Sequence, residues 1–474
     1  MSATSQTSAG SRIARLLDEN SFVEIGGLVS ARNTDFHLQN KPTPADGVLT
    51  GYGTIDGNLV YVYSQDASAL SGTIGEMHAK QIVNLYDLAA KVGAPVVAIV
   101  DCAGLRLEES TDALDAFGKI YQRQAEASGV IPTVSVVLGN CGGGVAVLAA
   151  MSDFTIMAKE GGKLFVNAPN VLAGNYVEKL NTASAAFQAE AGNVDIVCDD
   201  DASALAAARE LVSALPDNNE GPDDEDCDDN LNRLVASLGT SLKDAAVSLR
   251  EISDNGWFLE LKACYAKEMV TGFIRLGGKV IGAVANRAEK LDENFKVAEK
   301  YDTALTVDGC QKAADFVAFC DAFEIPVLTL TNVTGFAATT GEEKKIAKAV
   351  AKMSAAFADA DIPKVNVITG KAYGSAYIAM NSKHIGADLV FAWPDTEIGM
   401  MDAKLAAQII YGEKEGAAKA ADYEALQNNP LSAAKRGYVD SIIEPAATRK
   451  QLIYAFDMLT TKRELKPFKK HGTI

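Results

Sequence analysis

A single shift of 231 residues lays one half of this chain on the other, and no other feature restricts its fold as much. The shift carries Pro132, Gly139 and Gly143 onto Pro363, Gly370 and Gly374, and Pro95 and Gly104 onto Pro326 and Gly335. APVVAIVDCAGL thereby parallels IPVLTLTNVTGF, and IPTVSVVLGNCGGG parallels IPKVNVITGKAYGS. A third pair, GYGTIDGNLV from Gly51 and GFIRLGGKVI from Gly272, matches at a shift of 221. Three matches in one order indicate a duplicated domain, and so long a period suits two globular copies better than a solenoid.

The repeated stretch is itself informative. Val134, Val136 and Leu138 form a short apolar run that reads as a buried parallel strand. The run breaks at Gly139–Gly144 and resumes as Val145–Met151, a small apolar helix. A strand that turns on glycines into a helix leaves backbone N–H groups unpaired, and such a place stabilises negative charge on oxygen. No Gly-Lys-Ser/Thr follows, so it is not a nucleotide P-loop. Upstream, Asp56-Gly57 between two alternating runs predicts a hairpin over 47–64. Ile82, Tyr86, Ala89 and Val92 predict a helix over 76–92 closed by Gly93, and Leu114, Phe117 and Ile120 mark the next. Between them, Val96–Val100 is a strand ending in the loop Cys102-Ala103-Gly104. Strand and helix alternate, so the expected class is α/β with parallel strands, and ligands belong at their carboxyl ends, where both glycine bends fall.

Charge and composition narrow the function. The net charge of −18 argues against a nucleic-acid surface, and the chain has no apolar run long enough to span a membrane. MSATSQTSAGSR has no apolar core and is expected to be a loose tail, not a secretory signal. Seven scattered cysteines without a CxxC pair suggest reduced thiols in the cytoplasm and no zinc ribbon. Residues 216–230, PDNNEGPDDEDCDDN, read as an exposed acidic linker that closes a first domain over 1–230 and leaves 231–474 as the second. The C-terminal KRELKPFKKHGTI reads as a basic tail facing water.

Side-chain chemistry is sparse. Of four histidines, His78 and His384 fall in predicted helices with no nucleophile-elbow serine or cysteine nearby, so both read as structural. Glu108 and Glu109 follow the Gly104 loop and are open to two readings, acid/base carboxylates or plain helix N-terminal charge. Cys141 in the bend reads as a packing residue, and Met400 and Met401 as core. What is left is electrostatic: backbone amides aimed at a developing oxyanion, twice.

DGVLTGYGTIDGNLVYVYSQD (46–66), GTIGEMH (72–78), GNCGGG, the run 256–286, CDAFEIPVLTL (320–330), KAYGSAYIAMNSKHIGAD (371–388) and AWPDTEIGMMDAK (392–404) carry a resemblance. Together they resemble the carboxyltransferase subunit of biotin-dependent acyl-CoA carboxylases and decarboxylases, over residues 12–460. The resemblance implies two tandem crotonase-like domains, the first holding an acyl-CoA thioester and the second biotin borne on a separate carrier protein. It implies a homo-oligomer, commonly a hexamer, that works with a biotin carboxylase or a membrane decarboxylase subunit. A cytoplasmic chain, or one peripheral to the inner membrane, follows from that.

By the same resemblance, the oxyanion donors are the backbone N–H groups of Gly143 and Gly144 on the acyl-CoA side and of Ser375 and Ala376 on the biotin side. Gly104, Leu105 and Gly142 would line the first site, and Gly335, Phe336, Gly374, Tyr377 and Ile378 the second. No metal is implied. The family's Ser-Gly-Gly-Ala-Arg is here Cys102–Arg106, its Pro-Gly-Phe is Thr334-Gly335-Phe336, and Gly374-Ser375-Ala376 replaces its frequent Gly-Gly-Ala. Ile378 stands where propionyl-type members often carry Asp, which points away from that pattern. The sequence holds no Ala-Met-Lys-Met biotinylation motif. A crotonase-type hydratase or hydrolase using Glu108 or Glu109, or a non-catalytic acyl-CoA-binding homologue, are the alternatives.

Overall fold

The computed structural model describes residues 7–41, 43–222, 226–241, 243–467, 469 and 472–474, which divide into two compact units, Met1–Pro222 and Asp223–Ile474. The acidic stretch 216–230 therefore straddles the division.

In the first unit, α1 (Ser8–Leu16) precedes β1 (Val23–Ile25), β2 (Val48–Ile55) and β3 (Asn58–Gln65). Then come α2 (Glu76–Val92), β4 (Val96–Cys102), α3 (Thr111–Ala127), β5 (Thr133–Gly142) and α4 (Gly144–Ala150). β6 (Phe154–Ala158), β7 (Lys163–Phe165), β8 (Ile196–Cys198) and α5 (Asp201–Ala214) complete it. The sheet runs β1-β2-β3-β4-β5-β6-β8, antiparallel through the hairpin and parallel after it, with β7 beside β5. Asp56 and Gly57 both take positive φ, the backbone a two-residue hairpin demands. Apolar side chains of β4 and β5, with Ile82, Tyr86, Phe117 and Ile120 from the helices, form the core.

The second unit repeats the plan. Its elements are α6 (Ala245–Ile252), β9 (Phe258–Leu261), β10 (Met269–Leu276), β11 (Lys279–Asn286), β12 (Ala304–Leu305), α7 (Val307–Ala322), β13 (Val327–Val333) and β14 (Gly335–Phe336). They continue with α8 (Ile346–Asp359), β15 (Lys364–Tyr373), α9 (Gly374–Ala379), β16 (Leu389–Ala392), β17 (Glu397–Gly399), α10 (Ala403–Tyr411), β18 (Ser441–Ile442) and α11 (Thr448–Leu459). The order β9-β10-β11-β13-β15-β16-β18, with β17 beside β15, matches the first sheet.

The duplication reaches the register. Val96 faces Thr133 and Val327 faces Lys364, each pair 231 apart from the other. Both strand pairs then slip, so that Cys102 faces Cys141 and Val333 faces Ala372. At the slip, Asn140 N–H donates to Asp101 Oδ1 (3.2 Å), and Lys371 N–H to Asn332 Oδ1 (3.0 Å). A Cβ on Gly139 or Gly370 would strike those side chains at 2.0 and 2.5 Å, which is why both positions are glycine. A second repeated device ties the last helix to the first. Arg209 donates to Leu16 O (2.7 Å) and Asp18 (2.8 Å), and Arg449 donates to Ile252 O (2.7 Å) and pairs with Asp254 (2.6 Å).

Four expectations change. Residues 1–6 lie outside the described residues, but Ser8–Ser11 already belong to α1, capped by Thr7, so the expected loose tail does not reach Arg12. The acidic stretch is docked at both ends. Asn218 Nδ2 donates to Gly93 O (3.0 Å), and Asp229 meets Arg233 (2.9 Å) and the buried Arg449 (3.2 Å). The basic tail stays largely exposed, but two of its lysines also reach back to the chain. Lys462 Nζ reaches Ile362 O (2.8 Å), and Lys466 Nζ reaches Asp359 O (2.6 Å) and Ala360 O (2.9 Å), satisfying carbonyls that the end of α8 leaves unpaired. Met400 is 76% exposed, not core.

Candidate active site

The first bend joins β5 to α4. Gly143 has φ 63° and ψ −128°, a conformation only glycine holds without strain, and its N–H donates to Phe165 O of β7 (2.9 Å). That bond overturns the expectation that Gly143 is a donor, since its hydrogen is already engaged. Gly142 cannot carry a side chain because a Cβ would meet the Phe165 ring at 2.9 Å, and on Gly144 it would meet the Phe117 ring at 2.9 Å. Gly144 and Val145 open α4, so their N–H groups have no intrahelical acceptor.

A second loop abuts this bend, since a Cβ on Gly104 would lie 3.9 Å from Gly142 O. Ile74 N–H donates to Gly104 O (2.9 Å) and Arg106 N–H to Ile74 O (3.0 Å). The Gly104–Leu105 peptide is planar and trans, so fixing Gly104 O toward Ile74 turns Leu105 N–H to the opposite side. No acceptor meets that N–H among the described residues. Gly104 N–H faces only Cys102 Sγ (3.3 Å), a weak acceptor.

The second unit holds the same arrangement at the same shift. Gly374 has φ 58° with Met400 O 3.0 Å from where its Cβ would sit, and it follows Tyr373, which pairs with Gly399 as Gly142 pairs with Phe165; Ser375 and Ala376 then open α9, so their N–H groups have no intrahelical acceptor. Gly335 and Phe336 pair with Ala304 and Leu305, and Ala337 N–H donates to Leu305 O (2.9 Å), as Arg106 does to Ile74. Phe336 therefore corresponds to Leu105, and Ser375 to Gly144. Gly143 corresponds to Gly374, so the two sequence-derived donor pairs stand one residue out of step. On the open face of each short helix, Val147 (39% exposed) and Ile378 (40%) occupy equivalent places beside the donors. Tyr377 points the other way: it is buried, its ring meets His384 edge-on at 5.8 Å, and it does not line the open face.

Most ionisable groups near the first bend are locked. Glu109 is buried against Arg106 (2.8 Å) and accepts Glu76 N–H (2.7 Å), so it is no free base. Glu108 lies toward Lys41, 3.9 Å away. His78 is buried between Asp46 O (3.0 Å) and Gln65 Nε2 (3.3 Å), and burial, then Arg106, holds its ring down to about 3. Burial pushes the Cys141 thiol far up, which keeps it protonated. Sequence reasoning missed Arg106 as an anchor; its one signal is a charge set directly after an apolar loop.

A cavity of about 790 Å³ lies in the second unit over Asn332, Thr369, Gly370, Lys371 and Trp393, and includes none of the donors. Its counterpart in the first unit is occupied by Arg12, which pairs with Asp101 (3.1 Å) and Asp201 (3.0 Å). Among the described residues no cluster of His, Cys, Asp or Glu is placed to hold a metal ion, and no helix is long and apolar enough to cross a membrane.

The carboxyl transferase domain matches residues 3–474. The chain is 40% identical to a propionyl-CoA carboxylase beta chain of Roseobacter denitrificans, over 98% of this chain and 93% of that one. It is 38% identical to the methylmalonyl-CoA decarboxylase subunit alpha of Propionigenium modestum, over 100% and 94%. A transcarboxylase 12S hexamer, solved with hydrolysed methylmalonyl-coenzyme A bound, superposes with a TM-score of 0.90 at 35% identity, covering 98% of this chain and 92% of that one.

Proposed function

The chain belongs to the carboxyl transferase family and is the carboxyltransferase subunit of a biotin-dependent acyl-CoA carboxylase or decarboxylase, and we propose that its two bends divide that reaction between them. In this reading the first crotonase-like domain, 1–230, holds the acyl-CoA, and the second, 231–474, holds biotin delivered on a separate carrier protein. Leu105 and Gly144 N–H face the thioester oxygen; Phe336 and Ser375 N–H face the ureido oxygen.

The observation that carries the reading is the repetition itself. Each unit presents two outward N–H groups on abutting loops, and around the first bend Glu109 and His78 are committed to structure. Carboxybiotin loses CO2, leaving the biotin N1 anion with its charge spread to the ureido oxygen. That anion takes the α-proton of the acyl-CoA, and the resulting enolate carbon bonds to CO2. Each half-reaction places negative charge on one oxygen, and loss of one such donor costs about 3–4 kcal/mol. The biotin anion is the base, so no side chain has to be. The reverse sequence decarboxylates.

The same reading places the chain in a homo-oligomer like the hexamer of the transcarboxylase, with the first bend of one subunit serving the second bend of another. Its partners are a biotin carboxyl carrier protein and either a biotin carboxylase or a membrane decarboxylase subunit that would bring it to the membrane from the cytoplasm. The test is incubation of the purified protein with free biotin and malonyl-, methylmalonyl- or glutaconyl-CoA. Decarboxylation that requires biotin is expected. Turnover indifferent to biotin would place the chain with the hydratases.

A further inference from the structure

Arg106 is 1% exposed, and the structure spends more polar contacts on it than on any residue the reaction uses directly. Its guanidinium donates to Asp46 Oδ1 (2.6 Å), Glu109 Oε1 (2.8 Å) and Thr73 O (2.6 Å). The second oxygens of both carboxylates reach the start of α2: Glu109 Oε2 accepts Glu76 N–H (2.7 Å) and Asp46 Oδ2 accepts His78 N–H (2.7 Å). Asp46 holds φ 47°, a left-handed conformation that costs free energy in a non-glycine residue and persists only where its surroundings impose it. A cation and two carboxylates with no exposed side-chain surface survive burial only because each is paired and hydrogen-bonded.

The contact that matters is the one to Thr73. Thr73 O is held by Arg106, and the next residue, Ile74, donates its N–H to Gly104 O and accepts Arg106 N–H. The arginine thus closes a ring of contacts, from its side chain through Thr73 and Ile74 to Gly104 O and back to its own backbone. That ring sets the plane of the Gly104–Leu105 peptide, and with it the direction of Leu105 N–H. The second unit keeps one part of this device and lacks the rest. Val307 N–H donates to Glu342 (2.6 Å), as Glu76 does to Glu109, but the position of Arg106 is Ala337 and that of His78 is Gly309.

We propose that Arg106 is a positioning residue of the acyl-CoA side, aiming Leu105 N–H at the thioester oxygen through Thr73 and Ile74, with Asp46 and Glu109 holding the guanidinium in register. The assignment rests on the reading of Leu105 N–H as an oxyanion donor. A donor displaced by about 1 Å forfeits on the order of 10²-fold in stabilising the anion while leaving ground-state binding intact. The second unit, with no such arginine, has the corresponding loop exposed at Thr334, Phe336 and Ala338.

The test compares two ligands on the whole chain by calorimetric titration. One is a CoA thioether carrying a nitronate, which places oxyanion charge where the enolate oxygen forms; the other is S-propyl-CoA, which lacks that oxygen. Arg106→Lys keeps the charge but loses the planar fork that spans Asp46, Glu109 and Thr73. Glu109→Gln keeps the volume and weakens one arm, and it decides the matter if Arg106→Lys does not fold. Each variant is expected to lose about 10- to 100-fold in nitronate affinity with S-propyl-CoA unchanged within about 2-fold, and the KM for biotin should not move. Equal loss on both ligands, or no loss on either, would overturn the positioning role. Wild-type protein that binds the nitronate no better than S-propyl-CoA would instead overturn the donor reading, and the inference with it.

Discussion

The two bends share a backbone and differ in nearly everything that supports it. In the first unit Gly143 N–H is tied to Phe165 O, the adjoining loop hangs on a buried arginine, and Arg12 fills the space beyond Asp101 with an ion pair. In the second, Tyr373 pairs with Gly399 as Gly142 does with Phe165, but the loop has Ala337 and beyond Asn332 lies an open cavity. Elements kept through that much divergence are those the chemistry needs: two outward N–H groups per unit. The side chains around them are local solutions to holding a strained turn, and the first unit has more of them.

That contrast is open to attack. Gly143→Ala and Gly374→Ala both force a side chain into positive φ, at a strain of about 1–3 kcal/mol, and each should cut carboxyl transfer by about 10²-fold. The substitutions separate in partial reactions. Gly143→Ala should suppress α-proton exchange of the acyl-CoA and spare biotin binding, and Gly374→Ala the reverse; identical profiles would erase the distinction between the bends.

The arginine clamps differ in the same direction. Arg449 is fully buried between Asp254 and Asp229, whereas Arg209 shares its exposure with Asp18 and Asp56. Arg449→Met leaves the buried Asp254 carboxylate without a cation and should cost about 3–5 kcal/mol in urea unfolding. Arg209→Met, at the solvated clamp, should cost no more than about 1 kcal/mol. Equal losses would mean that the acidic stretch contributes nothing to the second clamp.

A smaller effect appears with pH. His78 is held neutral in the fold down to about 3, while the unfolded chain protonates it near 6.5, so stability falls as pH drops from 6.5 toward 3. His78→Gln should flatten that acid limb by up to about 1.4 kcal/mol per pH unit. Its counterpart, Gly309, cannot titrate, so the slope belongs to the first unit; an unchanged slope in the variant would refute this. The smallest change is expected from Ser375→Gly, which keeps the backbone donor and removes only the hydroxymethyl side chain. Transfer rates should stay within about 3-fold, and a loss comparable to Gly374→Ala would show that the side chain, not the peptide, carries the second site.

Much of this architecture was legible before any coordinates. The 231-residue shift implied two like domains, and the strands Val96–Cys102 and Val327–Val333 pair with their neighbours at that same shift. The turn at Asp56-Gly57 and the helix stop at Gly93 follow from positive-φ positions that glycine favours. What escaped was everything set by distant partners. Whether Gly143 N–H is open depends on Phe165, a carbonyl from a strand 22 residues on, and local pattern cannot see it. Tyr377 reads as a site residue by adjacency to Ala376, but helical rotation sends its ring inward toward His384 while Ile378 stays outside. Lys466, in a tail that is largely exposed, also reaches carbonyls at the end of α8, a contact set by a partner more than a hundred residues away.

Peptide N–H groups, not ionisable side chains, are the centre of this account, and they can be deleted one at a time. Replacing Leu105 by its α-hydroxy acid converts one amide to an ester, removing the N–H and keeping the side chain; the matching replacement at Phe336 does the same on the biotin side. Biotin-dependent decarboxylation of methylmalonyl-CoA should fall about 10²- to 10³-fold with either ester. Full activity with both esters in place would contradict the account outright.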